Sequence, residues 1–230
     1  MADRIIRLPK VAKTTLKSRN YEEIRKAIIC GRFQAGETLT IRGLSEALGT
    51  STTPVREALQ QLVAEKVLTN VANKEFRVPQ VSRDTLNQIY NVRKLLEGYA
   101  CYQTAKLATE EQVQTLKKLH TELRELRQAK DTEEMLLKNM EWHFSIYAIS
   151  AEKYLTDLIQ NVWLSVGPIF ASPYLASSKE RNKYCNAMEK NELALIEHIQ
   201  RGEAENAQNS LNETLAKSAE WFNSNYSFEN

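Results

Sequence analysis

The apolar positions of this chain recur at helical spacing almost throughout, with one short exception near residue 70. Ile24, Ala27 and Ile28 predict a helix over residues 21–31, closed by Gly31. After a turn at Ala35-Gly36-Glu37, Leu44, Ala47 and Leu48 mark one face of a helix over 41–48. Gly49 closes that helix, because a residue without Cβ enters the left-handed conformation without a clash. A second helix follows at once. Thr53 can accept a hydrogen bond from an orphan N–H, and Pro54 suits the first helical position, where its missing N–H is no loss. Val55, Leu59, Leu62 and Val63 then recur at helical spacing. Two short helices joined by a tight turn predict a helix-turn-helix. Two β-prone runs, 68–71 and 76–78, flank Ala72-Asn73-Lys74-Glu75. Asn73 tolerates the positive φ of a tight hairpin, so this stretch predicts a wing.

Residues 79–83 connect the head to a second, all-helical region. Ser82 is a candidate N-cap for a helix reaching about Leu107, with Leu86, Ile89, Tyr90, Leu96, Ala100 and Cys101 along one side. Thr109 with Gln112 and Asp131 with Glu134 have the spacing of capping boxes. The helices after them carry Val113, Leu116, His120, Leu123 and Leu126, then Leu136, Asn139, His143, Ile146 and Tyr147. A stripe from Leu155 through Leu158, Ile159, Val162, Trp163 and Val166 to Phe170 predicts a helix over 152–170, and Ser172-Pro173 is read as a break. The last two helices span about 178–201, ending at Gly202, and about 203–222, with Ala207, Leu211, Thr214, Leu215 and Ser218 on one face. The expected fold is mainly α. A basic arm (1–20) precedes a winged helix-turn-helix with a small β wing (21–79), and a bundle of about six helices (83–224) is large enough to bury a core.

Charge separates the two regions. Residues 1–80 hold 14 Lys and Arg against 8 Asp and Glu, whereas residues 81–230 hold 17 against 21. A basic head on an acidic body points to the head alone as the polyanion-binding part. Arg4, Arg7, Lys10, Lys13, Lys17 and Arg19 make the N-terminal arm either a solvated tail or a phosphate-touching one. Cys30, Cys101 and Cys185 are odd in number and widely spaced, so they read as small apolar residues of a reducing cytoplasm. No apolar run approaches a membrane span, so no membrane partner is expected.

The start of the second short helix carries DNA-binding chemistry. Ser51, Thr52, Thr53 and Arg56 crowd its first turn, where hydroxyls and free N–H groups hold phosphate and an Arg reaches a base edge. Tyr21-Glu-Glu-Ile-Arg-Lys-Ala-Ile-Ile-Cys-Gly31, Ala35-Gly-Glu-Thr-Leu39 and Thr53-Pro-Val-Arg-Glu-Ala-Leu59 resemble the winged-helix domain of GntR-type bacterial transcription regulators. The rest of the chain resembles the helical effector domain of that family's FadR branch. The resemblance implies that Arg42 also contacts DNA, and that the wing contributes through Lys74 and Arg77. Most relatives carry an Arg where this chain has Thr52. Thr cannot pair bidentately with guanine, so an altered operator sequence is expected, with Arg56 as the base reader.

Polar residues interrupt the inner stripes of the bundle. Arg93 and Glu97 lie one turn apart, as do Asn139 and His143, and Glu192 and Thr214 sit on the last two helices. Each must find a partner, since an unpaired buried polar group costs ~1–3 kcal/mol. Together they suggest a polar chamber. The resemblance implies a divalent-metal site at an Asp-x-x-Phe-His segment and two later His residues. Here those positions fall on Asn139, His143, Glu192 and Thr214, with Glu141 or His198 entering if the correspondence shifts by one turn. An amide, one imidazole, one carboxylate and one hydroxyl make a weak metal set, so a metal-free, cofactor-free pocket is expected. Arg93 would anchor a carboxylate. Trp142, Tyr147 and Trp163 either wall the pocket or fill the core. The chain lacks a phosphate loop, a full metal set and a nucleophile motif, so it is not read as an enzyme. The expectation is a homodimeric, cytoplasmic regulator, a repressor on a palindromic duplex operator, that responds to a small acidic metabolite. The alternative makes the bundle a dimerising or protein-binding module without an effector.

Overall fold

The computed structural model describes residues 15–71, 75–129 and 131–228. By their packing they form two units: the chain up to Arg25 with Thr38–Arg77, and Lys26–Glu37 with everything from Val78. The elements run α1 (Leu16–Ile29), β1 (Thr38–Thr40), α2 (Ile41–Leu48), α3 (Thr52–Ala64), β2 (Thr69–Val71) and β3 (Glu75–Arg77). Then follow α4 (Arg83–Leu107), α5 (Glu110–Ala129), α6 (Thr132–Ile149), α7 (Lys153–Val166), α8 (Ser172–Leu175), α9 (Ser178–Arg201) and α10 (Ala204–Asn225). Helix α1 starts at Leu16, so Lys17 and Arg19 belong to it rather than to an arm. Arg4, Arg7, Lys10 and Lys13 of the arm, and Asn73 and Lys74 of the wing tip, lie outside the described residues.

In the first unit, Ile24, Leu39, Ile41, Val55, Ala58, Leu59, Leu62, Leu68 and Phe76 are buried together. The Thr40 hydroxyl accepts from the Gly43 N–H and caps α2. The buried face of α2 is set by Ile41 and Ser45 rather than by Ala47, which is exposed. Ser45 tolerates that place because its hydroxyl donates to the Ile41 carbonyl at 2.7 Å. Gly49 (φ 62°, ψ 33°) makes the turn, as its position required. Helix α3 begins at Thr52, not at Pro54, and Ser51 precedes it with an extended backbone. Pro54 therefore sits third, which costs nothing because the N–H groups of a first turn have no intrahelical acceptor. The sheet is antiparallel in the order β1-β3-β2, with Phe76 opposite both Leu39 and Asn70.

In the second unit, α4 packs against α10, α7, α6 and α9, and α5 packs against α6 and α9. The caps read from the chain for this unit are present, with only half of the box expected at Asp131 and Glu134, whereas Thr53 in the first unit lies inside α3 and does not cap it. Ser82 Oγ accepts from the Thr85 N–H at 3.2 Å, Thr109 and Gln112 bond each other reciprocally, and Asp131 accepts from the Glu134 N–H at 3.1 Å. The helix expected over 152–170 ends at Val166 and tightens into a 3-10 turn, Gly167–Ile169. A Cβ on Gly167 would lie 2.2 Å from the Ile28 carbonyl oxygen, so only glycine lets the backbones approach this closely. Ser172-Pro173 opens the one-turn helix α8 instead of breaking the chain, since Pro is suited to a first turn. Among the described residues no helix is long and apolar enough to cross a membrane, and Cys30, Cys101 and Cys185 are free thiols.

Candidate functional site

The first unit presents a polar edge at the start of α3. Ser51, Thr52, Thr53 and Arg56 are all exposed there. Arg56 makes no ion pair or hydrogen bond to the described residues, so its guanidinium is free to reach outward. The first turn of α3 adds unpaired N–H groups and the positive end of the helix dipole. Helix α3 is held by its apolar face (Val55, Ala58, Leu59, Leu62) and by its C-terminus, where Val67 N–H bonds the Leu62 carbonyl past Lys66 in a left-handed conformation. Two bonds from α1 brace the motif: Asn20 Nδ2 to Thr50 Oγ1 at 3.1 Å, and Tyr21 OH to Glu65 Oε2 at 2.7 Å. Arg42 is exposed on α2 and pairs with Glu46 at 2.9 Å, a weak surface pair that phosphate can displace. Arg77 is exposed on β3.

The bundle brings the seven polar candidates into or just behind the wall of one small cavity, most of them in two separate hydrogen-bonded clusters, with partners that spacing alone did not reveal. Arg93 and Glu97 are not an exposed pair. Arg93 Nε bonds Glu97 Oε1 at 2.5 Å and Nη2 bonds Oε2 at 3.2 Å, with both side chains buried. Glu97 also accepts from Tyr147 OH at 2.6 Å and Trp163 Nε1 at 3.1 Å, so four donors surround one carboxylate. The Arg93 guanidinium lies against the rings of Tyr90, Trp163 and Phe170, 4.9, 5.0 and 5.3 Å from their centroids. Burial alone would lower the Arg93 pKa, but the Glu97 charge outweighs it and holds the group firmly cationic.

Tyr147 fixes the state of His143. The single Tyr147 hydroxyl proton goes to Glu97, so at the 3.1 Å contact His143 Nδ1 must be the donor. Burial lowers the His143 pKa to about 4, which keeps the ring neutral at pH 7. Nδ1 then carries the only ring proton, and Nε2 is a lone-pair acceptor.

A second buried ion pair joins α5 to α9. Arg127 on α5 donates from Nη1 to Glu192 Oε2 at 2.6 Å and from Nη2 to Oε1 at 2.8 Å. His120 Nε2 donates to the same carboxylate at 3.1 Å, and Arg127 Nη2 lies 3.5 Å from Asn139 Oδ1. Burial would raise the Glu192 pKa, but the Arg127 charge and these bonds hold it below the usual carboxylate range. Arg127 Nε is buried without a partner. The sequence signal was the four-residue step from Leu123, which leads to buried Arg127; the hydrophobic reading took half-buried Leu126 instead.

Arg93, Arg127, Asn139, His143, Glu192 and Thr214 line a cavity of about 40 Å³. Glu97 and Tyr147 stand behind that wall, bonded to its members. The space holds about one water molecule. Two nitrogens of Arg93 are committed to Glu97, so the open carboxylate anchor expected there is already occupied by a carboxylate of the chain itself. The set is also unfit for a divalent cation. Both Glu192 oxygens are taken by a guanidinium that repels a dication, and Thr214 Oγ1 donates to the Ser210 carbonyl at 2.9 Å. Neither alternative ligand reaches the cavity wall: His198 bonds Glu203 at 2.6 Å and Glu141 pairs with Lys138 at 2.8 Å. Trp142 is buried against His120 and His143, whereas Trp163 does line the cavity.

Comparison with known proteins places both units. The profile of bacterial regulatory proteins of the gntR family matches residues 16–78, and the FCD domain profile matches residues 88–217. The HTH-type transcriptional regulator McbR of Escherichia coli (strain K12) is 30% identical over 159 residues, 69% of this chain and 71% of that protein. The gluconate operon transcriptional repressor of Bacillus subtilis (strain 168) is 27% identical over 161 residues, 70% of this chain and 64% of that protein. Among solved structures, E. coli McbR/YncC superposes with a TM-score of 0.85 at 24% identity, covering 94% of this chain and all of that one, a likeness of fold.

Proposed function

The chain belongs to the gntR family of bacterial regulatory proteins and carries an FCD domain, which makes it a DNA-binding transcriptional regulator rather than an enzyme, and from that premise we propose how it works. It acts as a homodimeric repressor on a palindromic operator. Two copies related by a two-fold axis place two α3 helices in successive major grooves. Arg56 reads a base edge, while Ser51, Thr53, Arg42, Lys74 and Arg77 meet phosphate. Thr52 meets phosphate or a thymine methyl, so the operator differs from one read by Arg at that place. An outward stripe supports the second copy: Val92, Leu95 and Tyr99 on α4, with Tyr154 and Leu158 on α7, are all exposed, Leu95 at 72% and Tyr154 at 79%. Repression is also what the name of the Bacillus subtilis relative states for that protein.

The helical domain senses a small organic acid without a metal or other cofactor. What carries this reading is the bundle's set of buried ionic and polar groups, which a ligand bound at their edge can rearrange. Two ion pairs and a neutral His143 with a bare Nε2 are costly to bury and exceed what a packed core needs. Ligand can change DNA affinity only by favouring one arrangement of the two heads over another. A second reading, a dimerising module without effector, is favoured by the cavity's small size. Fluorescence anisotropy of an operator duplex, titrated with small organic acids, separates the two. An acid that weakens operator binding supports sensing; unchanged affinity across acyl, aryl, hydroxy and sugar acids supports the module.

A further inference from the structure

We propose that the effector acid lodges in the cleft between α9 and α10, with its apolar body on Tyr184, Met188 and Trp221 and its carboxylate at the lysines of the rim. This rests on the reading that the helical domain senses an organic acid, and it moves the binding place outward from the buried cavity. The inner cavity, about 40 Å³, has room for a water molecule and not for a metabolite. Its two guanidinium groups are each answered by a carboxylate, Glu97 or Glu192, so it offers an entering acid no unbalanced positive charge.

The cleft has what the cavity lacks. Its volume is about 500 Å³, within the range of small-molecule sites. Its floor is a tyrosine, a buried methionine and a half-buried tryptophan, with the rings of Tyr184 and Trp221 5.7 Å apart. Such a floor takes an aryl or acyl body by stacking and by contact with a polarizable thioether. Lys179, Lys183 and Lys217 stand on the rim against Glu180 and Glu220, an excess of one positive charge on an otherwise acidic domain. Lys179 and Lys183 form no ion pair with the described residues, and Lys217 is turned to Asn191 Oδ1 at 2.9 Å.

The cleft is also wired to the inner network. Tyr184 and Met188 line both spaces, so they are the wall between them. Tyr184 OH bonds Ser218 Oγ at 3.2 Å, and Ser218 Oγ bonds Tyr90 OH at 2.8 Å, the ring that lies on Arg93. A ligand that turns Tyr184 breaks the outer bond of this chain and leaves the buried hydroxyls to find new partners. That gives the ligand a differential interaction with two arrangements of the bundle, which any allosteric response requires.

The test uses the full-length protein with phenylacetate and hexanoate as probes and uncharged phenylacetamide as control. Thermal shift is read for the wild type and for Ala187→Trp, which fills the cleft from a half-buried position on its wall. At a hundred times its dissociation constant a bound acid raises Tm by about 5–10 °C. The wild type is expected to shift with an acid and not with the amide, and Ala187→Trp to lose the shift. An equal shift in Ala187→Trp would place the acid elsewhere and overturn the cleft while leaving acid sensing intact. No shift in the wild type with either acid overturns the cleft assignment; if operator binding then still responds to other acids, sensing stands without it. A second readout needs no variant. Trp142 and Trp163 are fully buried and Trp221 is not, so iodide quenching reports on Trp221. A bound acid should lower that quenching, and unchanged quenching at saturating acid would also overturn the assignment.

Discussion

Arg127→Met tests whether the inner ion pair holds the bundle together. It leaves the Glu192 carboxylate buried, at 2% exposure, with only His120 as a donor. Removing one partner of a buried pair costs about 3–5 kcal/mol. Proton uptake caps the charge penalty. Holding a carboxyl of ordinary pKa 4.5 protonated at pH 7 costs 2.5 units at 1.36 kcal/mol each, or about 3.4 kcal/mol. For a chain of this length a loss of about 3–5 kcal/mol lowers Tm by roughly 6–20 °C. The pH dependence carries a second signature. In the wild type the Glu192 pKa is depressed, so its contribution is complete above 4.5 and does not change between pH 7 and 5. In Arg127→Met the folded pKa rises above 4.5, so the penalty shrinks as pH falls. The gap between the two proteins should narrow by about 2–3 kcal/mol from pH 7 to pH 5. Adding Glu192→Gln removes the stranded charge and should restore at least half of the loss. Urea unfolding followed by circular dichroism measures the wild type, the two single variants Arg127→Met and Glu192→Gln, and the double variant. A loss under about 1 kcal/mol for Arg127→Met, or a double variant as unstable as the two single losses summed, would refute the pairing as described.

Two further outcomes follow from named contacts. His143 has a folded pKa of about 4 against an ordinary 6.5, so the stability it contributes is complete above 6.5 and is lost as pH falls toward 4. The wild type should lose about 2–3 kcal/mol more than His143→Gln between pH 7 and 4.5, and equal urea midpoint slopes would contradict this. Gly167→Ala would force a Cβ to 2.2 Å from the Ile28 carbonyl oxygen, a backbone atom that cannot swing aside. It should cost at least about 2 kcal/mol, and a Tm within 2 °C of wild type, by an order-of-magnitude conversion, would show that the approach is looser.

Local rules were readable in the chain, and assembled contacts were not. Ser82, Thr109 with Gln112, and Asp131 bond as their spacing implied, because a cap is settled within four residues. Gly49 and Gly202 are left-handed where helices had to end. Pro54 misled the start of α3 because Pro is tolerated at several first-turn positions, and the chain entered the helix two residues earlier. Glu97 shows the limit of spacing. Its i,i+4 relation to Arg93 suited an exposed pair equally well; Tyr147 and Trp163 bury it, and they arrive from two other helices. Arg127 is not legible in the chain, because a charged residue beside Leu126 reads as solvated until its partner on α9 is known. The size of the cavity depends on how all these side chains fill the space, which no periodicity records.

The most direct measurement of the central claim is selection of random duplexes on the wild-type protein and on Arg56→Ala, followed by affinity for the recovered sequence. The wild type should enrich a two-fold symmetric motif with two half-sites about one helical turn apart or closer. Arg56→Ala should keep its helical content and lose about 1–3 kcal/mol of affinity for that motif, with specificity relaxed at the base Arg56 reads. No enriched motif, or the same motif bound equally well by Arg56→Ala, would contradict the assignment of α3 as the element that reads DNA.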